Sequence, residues 1–312
     1  MELRCVGASG LKVSTLGIGC NNFGGRLDYS QSEVVVHAAL DHGVTHFDTA
    51  DVYPMGDGGT SEEYLGKALG VRRSDVVVAT KFGMKMSEQM SGGSRRYLVQ
   101  AVEASLQRLD TDWIDLLYFH APDADTPIDE TLRALDDLIK VGKIRYIASS
   151  NFVPWQTVEA HYVARELGLN RFIATQERYS LLSRKVEAET IPLCQKYGLG
   201  LVPFFPLESG VLSGKYEIGK PVPEGTRLSK SKALADMFLS DTNLEIAAKL
   251  GEFAKGEGKE LIDLAFAFLL RDGVVPSVIA GASTPAQVAR NAKAVEWQLS
   301  SEQAKAVAQI LD

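Results

Sequence analysis

Short apolar runs rich in β-formers alternate with helix-length segments along the whole chain, and nothing else in the sequence restricts the fold as strongly. Eight runs read as strands: Leu16–Gly19, Thr45–Asp48, Val76–Thr80, Ile114–Phe119, Ile144–Ala148, Ile173–Gln176, Leu201–Pro203 and Ser277–Ala280. Strands spaced by helices pair in parallel through crossover connections. Eight such units in 312 residues predict an α/β fold, a single (β/α)8 barrel, because such barrels run to about 250 residues. No Ser- or Pro-rich linker interrupts the pattern, so residues 1–312 read as one domain.

Local signals refine this picture. Glu2–Ser14, with Ala8-Ser9-Gly10 at its centre, reads as a hairpin ahead of the first barrel strand, placed to plug the barrel base. Ser30 and Glu33 fit a capping box before Val34–Leu40, with Gly43 available for the left-handed position after the helix. Ser300 and Gln303 repeat the capping signal before Ala304–Leu311. Glu217–Ser240 is the longest stretch that reads as irregular, and a loop of that length is usually functional.

Composition narrows the class. The net charge of −7 argues against a nucleic-acid partner, since such proteins more often carry a basic surplus. Cys5, Cys20 and Cys194 are too few and too scattered for a disulfide framework or a zinc knuckle, and they suit a reducing cytoplasm. No apolar run reaches the length of a signal peptide or a membrane span, the nearest being Leu261–Leu270 with Asp263 inside it. A Rossmann fingerprint is missing. Gly17-Ile18-Gly19 begins one, but Asn22 stands where the third glycine belongs, and Gly198-Leu199-Gly200 is followed by Pro203 in a strand.

In a barrel, chemistry gathers where strands end and loops begin. Strand two finishes in Asp48 with Tyr53 five residues on, strand three in Lys81, and strand four in His120. Singly, Asp48 can cap a turn, Tyr53 can pack a loop, Lys81 can be solvated and His120 can be structural. At consecutive strand ends, the four converge on one mouth. A neighbouring ammonium stabilises a phenolate and lowers the phenol pKa, and a carboxylate holds the ammonium charged. Tyr53 then reads as a general acid, Lys81 as its partner, Asp48 as the anchor and His120 as a donor to a carbonyl oxygen. Reducing a carbonyl also needs hydride, which no side chain supplies, so a nicotinamide is implied.

Several motifs together resemble the aldo-keto reductases: Gly43-Val-Thr-His-Phe-Asp48-Thr-Ala-Asp51-Val-Tyr53, Ser61-Glu62, Leu65-Gly66, Lys81-Phe-Gly83, Asp115-Leu-Leu-Tyr-Phe-His120, Gly142 to Phe152, and Gly210-Val-Leu-Ser-Gly-Lys215-Tyr216. The resemblance spans essentially the whole chain, and is nearest to members resembling potassium-channel β-subunits and to bacterial aldo-keto reductases. It implies the same fold, with Asp48, Tyr53, Lys81 and His120 as the catalytic tetrad. It also implies an NAD(P)H-dependent reduction of an aldehyde or ketone.

The resemblance assigns cofactor contacts as well. Cys20 and Asn21 follow the first strand; Ser150, Asn151 and Gln176 match the positions that hold the nicotinamide carboxamide. Phe204 matches the ring that stacks on the nicotinamide, with Phe205, Pro206 and Leu207 after it, Phe205 standing where the family often has Ser. Gly210, Ser213 and Lys215 match the pyrophosphate loop, with Arg227 as an adjunct. Gly281, Ser283, Gln287 and Asn291 match the segment that grips the adenosine and its 2′-phosphate. Many members have Arg where this chain has Gln287 and Glu where it has Arg290. Lys215, Arg227 and Arg290 favour NADPH, with NADH as the alternative.

Other readings exist. His37 and His42 lie about 140° apart on a helical wheel, so with His46 they make a poor metal site. The same mouth also suits an NAD(P)-dependent sugar or alcohol dehydrogenase working oxidatively, or a nucleotide-binding regulatory module. The expected substrate wall (Phe23, Pro54, Met55, Phe82, Phe152, Phe205, Met237 and Phe238) is apolar, which suits a hydrophobic small-molecule carbonyl. Nothing in the sequence states the oligomeric state.

Overall fold

The computed structural model describes residues 1–56 and 58–311. A hairpin of β1 (Leu3–Cys5) and β2 (Lys12–Ser14) precedes eight barrel strands: β3 (Leu16–Gly19), β4 (His46–Asp48), β5 (Val77–Phe82), β6 (Ile114–Phe119), β7 (Ile144–Ser150), β8 (Ala174–Arg178), β9 (Gly200–Phe204) and β10 (Val278–Ala280). All neighbouring barrel strands are parallel, in the order β10-β3-β4-β5-β6-β7-β8-β9. Near the seam between β9 and β10, Leu201 N–H donates to Val274 O (2.8 Å). The result is a nearly closed (β/α)8 barrel.

Strand alternation builds two cores. Side chains of period two point in turn to the interior and to the surrounding helices. Phe47, Val78, Leu117, Phe119, Ile147 and Leu201 pack outward in the layer of helices, whereas Ala79, Leu116, Tyr118, Ala148, Ala174, Val202 and Ile279 fill the interior. The same parity carries inward-facing positions up to the mouth: two residues beyond Ala79, Tyr118, Ala148, Ala174 and Val202 stand Lys81, His120, Ser150, Gln176 and Phe204.

The hairpin seals the other end, where Val6 and Val13 join the interior cluster. Ala8 N–H donates to Gly198 O (2.7 Å) at the foot of β9. Gly7, at φ +55°, is obligatory there, because a Cβ would lie 2.5 Å from Gly198 O and Ile173 O.

Several sequence expectations shift in detail. Helix α1 (Tyr29–Asp41) is capped by Asp28, which exchanges hydrogen bonds with Gln31 (2.9 and 3.1 Å), so the box lies two residues before the expected Ser30–Glu33. Ser30 instead donates to Asp28 Oδ1, and Glu33 accepts from the Tyr29 hydroxyl. The Ser300–Gln303 box is present at the last helix. Glu217–Ser240 is not irregular throughout, since Lys232–Phe238 is helical and anchored by the buried Phe238. β5, β7 and β8 each run two residues further than read, because their ladders continue, as in Lys81 opposite Tyr118 and Phe82 opposite Phe119.

Candidate active site

A buried ion pair forms the floor of the mouth. Lys81 Nζ donates to Asp48 Oδ1 (2.5 Å) and to Thr49 O (2.8 Å), and Gln176 Nε2 donates to Asp48 Oδ2 (2.8 Å). Asp48 therefore has both oxygens engaged by partners from two other strands. Burial works against the Lys81 ammonium, but the charge of Asp48, its hydrogen bond and the nearby Tyr53 outweigh it, and the lysine is held above its usual pKa.

Tyr53 and His120 stand over this pair. Lys81 Nζ lies 5.3 Å from the Tyr53 ring centroid, and the Tyr53 and His120 rings meet edge to face at 5.8 Å. Burial is the largest influence on the Tyr53 hydroxyl and raises its pKa, Asp48 and Asp51 adding to the rise while Lys81 pulls the other way. Lys81 acts in the direction read from the sequence, lowering the phenol pKa, but burial outweighs it. Lys81 moderates a rise caused by desolvation, and Tyr53 stays a protonated phenol at neutral pH. Burial, with Lys81 second, pushes His120 down to about 2, so its imidazole is neutral.

The residues read as carboxamide contacts form one hydrogen-bonded row at the ends of β7 and β8. Ser150 Oγ donates to Gln176 O (3.0 Å), and Asn151 Nδ2 donates to His120 O (2.9 Å) and Ser150 Oγ (3.1 Å). Asn151 takes φ +60°, a backbone form that Asn tolerates better than most residues. Cys20 is fully buried with its N–H donated to Asp48 O (2.8 Å), and Asn21 is half-buried beside it.

After β9 the chain turns sharply. Phe204 and Phe205 are half-buried, Pro206 is buried and Leu207 half-buried. Phe205, Glu208 and Ser209 have φ of +54°, +45° and +56°, followed by Gly210 at +100°. Ser213 Oγ donates to Gly210 O (2.7 Å). Lys215 folds across Gly210, where a Cβ would lie 2.5 Å from its Nζ. Arg227 stacks on Phe205 at 5.1 Å.

The segment after β10 lies on the same rim. Gly281 and Gln287 are exposed, Ser283 is half-buried and Asn291 is buried. Ser283 N–H donates to Gln287 Oε1 (2.7 Å), and Asn22 Nδ2 donates to Ala282 O (2.8 Å). Arg290 is exposed and ion-paired with Glu260, which is exposed too.

The expected apolar wall is smaller than read. Phe23, Phe82, Phe152 and Phe238 are buried in the core, while Pro54, Met55, Phe205 and Met237 remain accessible. Sequence reasoning passed over Arg26, Glu208 and Ser209, all in loops just beyond strand ends, where extending the strand-end argument by a few residues finds them. Among the described residues, His120 Nδ1, Ser209 Oγ, Tyr216 Oη and Asn22 Oδ1 are buried without a partner. Together with the Gly210–Lys215 cradle, they fit a polar, phosphate-bearing dinucleotide.

Comparison with known proteins agrees with the barrel fold. Residues 15–312 match the aldo/keto reductase family. Relatives named "Probable voltage-gated potassium channel subunit beta" occur in Arabidopsis thaliana and Oryza sativa subsp. japonica. Each is 41% identical over 304 residues, covering 95% of this chain and 92% of the relative. A "Putative voltage-gated potassium channel subunit beta" of Schizosaccharomyces pombe is 35% identical over 330 residues, covering 100% and 94%. The chain belongs to the aldo/keto reductase family and is an NAD(P)H-dependent oxidoreductase.

Proposed function

We propose that the protein reduces an aldehyde or ketone to the alcohol, with NADPH preferred to NADH and Tyr53 as the proton donor. The observation that carries this reading is the buried Lys81–Asp48 pair beneath Tyr53, with a neutral imidazole beside it. When bound, the dinucleotide supplies hydride.

Tyr53 gives its hydroxyl proton to the carbonyl oxygen as that oxygen gains charge, and Lys81 stabilises the phenolate left behind. Asp48, held by Gln176, keeps the ammonium in place. The neutral His120 orients the carbonyl oxygen. Ser150, Asn151 and Gln176 would hold the carboxamide, and Phe204 the ring, between Cys20, Asn21, Pro206 and Leu207. Gly210, Ser213, Lys215 and Arg227 would take the phosphates, and Gly281, Ser283, Gln287 and Asn291 the adenosine end. Lys215 and Arg227 favour NADPH; Arg290, paired with Glu260, adds nothing unless that pair opens. We read residues 1–312 as one unit working in the cytoplasm on a small molecule; among the described residues no helix is long and apolar enough to cross a membrane.

Tyr53→Phe tests the assignment, because it removes only the ionisable oxygen. Turnover of an aldehyde is expected to fall about 10²–10⁴-fold while NADPH still quenches protein fluorescence. Near wild-type turnover in the variant rejects Tyr53 as the donor. Equal dissociation constants for NADPH and NADH reject the cofactor preference. The names of the relatives support a second reading, a nucleotide-binding regulatory module. Tight NADPH binding with negligible turnover across an aldehyde and ketone panel selects that reading.

A further inference from the structure

We infer that Ser61, the second residue of helix α2 (Thr60–Leu69), is a positioning residue that sets the Tyr53 hydroxyl over the Lys81 ammonium; this rests on the reading of Tyr53 as proton donor. Tyr53 lies beyond the end of β4, so no strand ladder holds it. Its backbone is held instead by its N–H, which donates to Ala50 O (3.1 Å), and by its carbonyl, which accepts from Gly59 N–H (3.0 Å) and Ser61 N–H (3.1 Å). The Ser61 hydroxyl donates to Cys20 O (2.7 Å) and lies 2.8 Å from Thr49 Oγ1. A hydroxyl has one proton, and that of Ser61 is spent on Cys20, so Thr49 is the donor in the second bond. Both neighbours are tied to the floor of the site. Thr49 O accepts from Lys81 Nζ (2.8 Å), and Cys20 N–H donates to Asp48 O (2.8 Å). One residue thus links the backbone of the acid to the loops that hold the ammonium and its anchor.

The helix itself does not ask for this hydroxyl. The N-terminus of α2 has no side-chain cap, and alanine is a better helix former than serine. The Ser61 side chain turns instead to residues 12 and 41 positions away in sequence. Ser61, Thr49 and Cys20 are all fully buried, so water cannot replace the lost oxygen in Ser61→Ala. That variant keeps the amide contact to Tyr53 O but unties α2 from the Lys81 side of the site. Lys81 stabilises the phenolate only if their spacing is kept as the proton leaves. A misplacement of about 1 Å costs on the order of 10²-fold in rate.

The test is a double-mutant cycle on kcat, run with saturating NADPH and the fastest-reduced member of an aldehyde and ketone panel. Ser61→Ala is expected to lower kcat about 10–100-fold and to leave the NADPH dissociation constant unchanged. In the Tyr53→Phe background the same substitution should alter the residual rate by less than about twofold, because the group it positions has gone. Thr49→Val, which removes the donor to Ser61 and leaves α2 untouched, should show the same dependence on Tyr53. Thr49→Ser keeps the hydroxyl and should recover most of the turnover lost in Thr49→Val. An unchanged kcat in Ser61→Ala overturns the inference. So does an equal loss in both backgrounds, which marks a structural role or a step that Tyr53 does not serve. If Ser61→Ala does not fold, the Thr49 variants decide alone, and equal losses in Thr49→Val and Thr49→Ser overturn the inference. Near wild-type turnover in Tyr53→Phe rejects the underlying reaction instead.

Discussion

Arg178, the last residue of β8, grips Glu208 in the turn after β9, with Nη2 2.5 Å from Oε2 and Nε 3.3 Å from Oε1. The carboxylate is buried and Ser180 Oγ also donates to it (2.6 Å). These contacts offset the cost of left-handed backbone at Glu208 and Ser209, on the order of 1–3 kcal/mol per residue. Arg178→Ala leaves a buried carboxylate with only the Ser180 hydroxyl, and a stability loss of about 1.5–3 kcal/mol is expected. Glu208→Ala should cost less, because Arg178 is about a third exposed and can be hydrated. Urea denaturation of the two variants checks the order.

Lys81→Met strips Asp48 of its cation at a site where lysine has no exposure and the carboxylate almost none. Breaking a buried pair from one side costs about 3–5 kcal/mol. Adding Asp48→Asn should recover part of that loss, which thermal or urea melts of the single and double variants will show. Lys81→Met also removes the largest influence that lowers the Tyr53 pKa. Any alkaline limb of the rate profile that reports ionisation of the phenol should therefore move to higher pH.

Asp51 gives stability a pH dependence of known sign. Burial, and Glu62 after it, push its carboxyl up to about 7, far above the ordinary Asp value. A folded-state pKa raised in this way means that the native state holds the proton more tightly than the unfolded chain. The contribution is fully present in acid and is lost as pH rises from about 4 through about 7. Asp51→Asn keeps an acceptor for the Tyr97 hydroxyl, now bonded to Asp51 Oδ2 at 3.1 Å, and removes the titration. The drop in urea midpoint between pH 5 and pH 8 should be smaller in the variant than in the wild type.

Gly7→Ala separates scaffold from site. Its Cβ would strike three backbone atoms, and the residue sits at φ +55°. A stability loss of about 1–3 kcal/mol is expected, with kcat near the wild-type value at temperatures where the variant stays folded. Calorimetry and aldehyde turnover measured on the same sample test both halves.

Periodicity and order in the sequence carried the barrel, because parallel strands and crossover helices leave a repeating trace that eight units make hard to mistake. The floor of the site was legible for a related reason. Strand parity brings Lys81, His120 and Gln176 into one layer whatever the loops do. What escaped was set by particular side-chain contacts, near and far in sequence, and by burial. The Asp28–Gln31 cap prevailed over Ser30–Glu33 because the Tyr29 hydroxyl occupies Glu33. Arg290 turned out to be paired because Glu260, thirty residues earlier, comes beside it. The sign of the Tyr53 shift depended on burial, which no residue spacing reports.

Because Val6 and Val13 close the base and the interior beneath Lys81 is packed with side chains such as Leu116, Tyr118 and Val202, water reaches Tyr53 from one side only. In the reaction we propose, a proton leaving the phenol is replenished through the opening by which product departs. Recharging the acid and clearing the alcohol are then sequential uses of one doorway. A bulky product that lingers there delays the next proton as well as the next substrate.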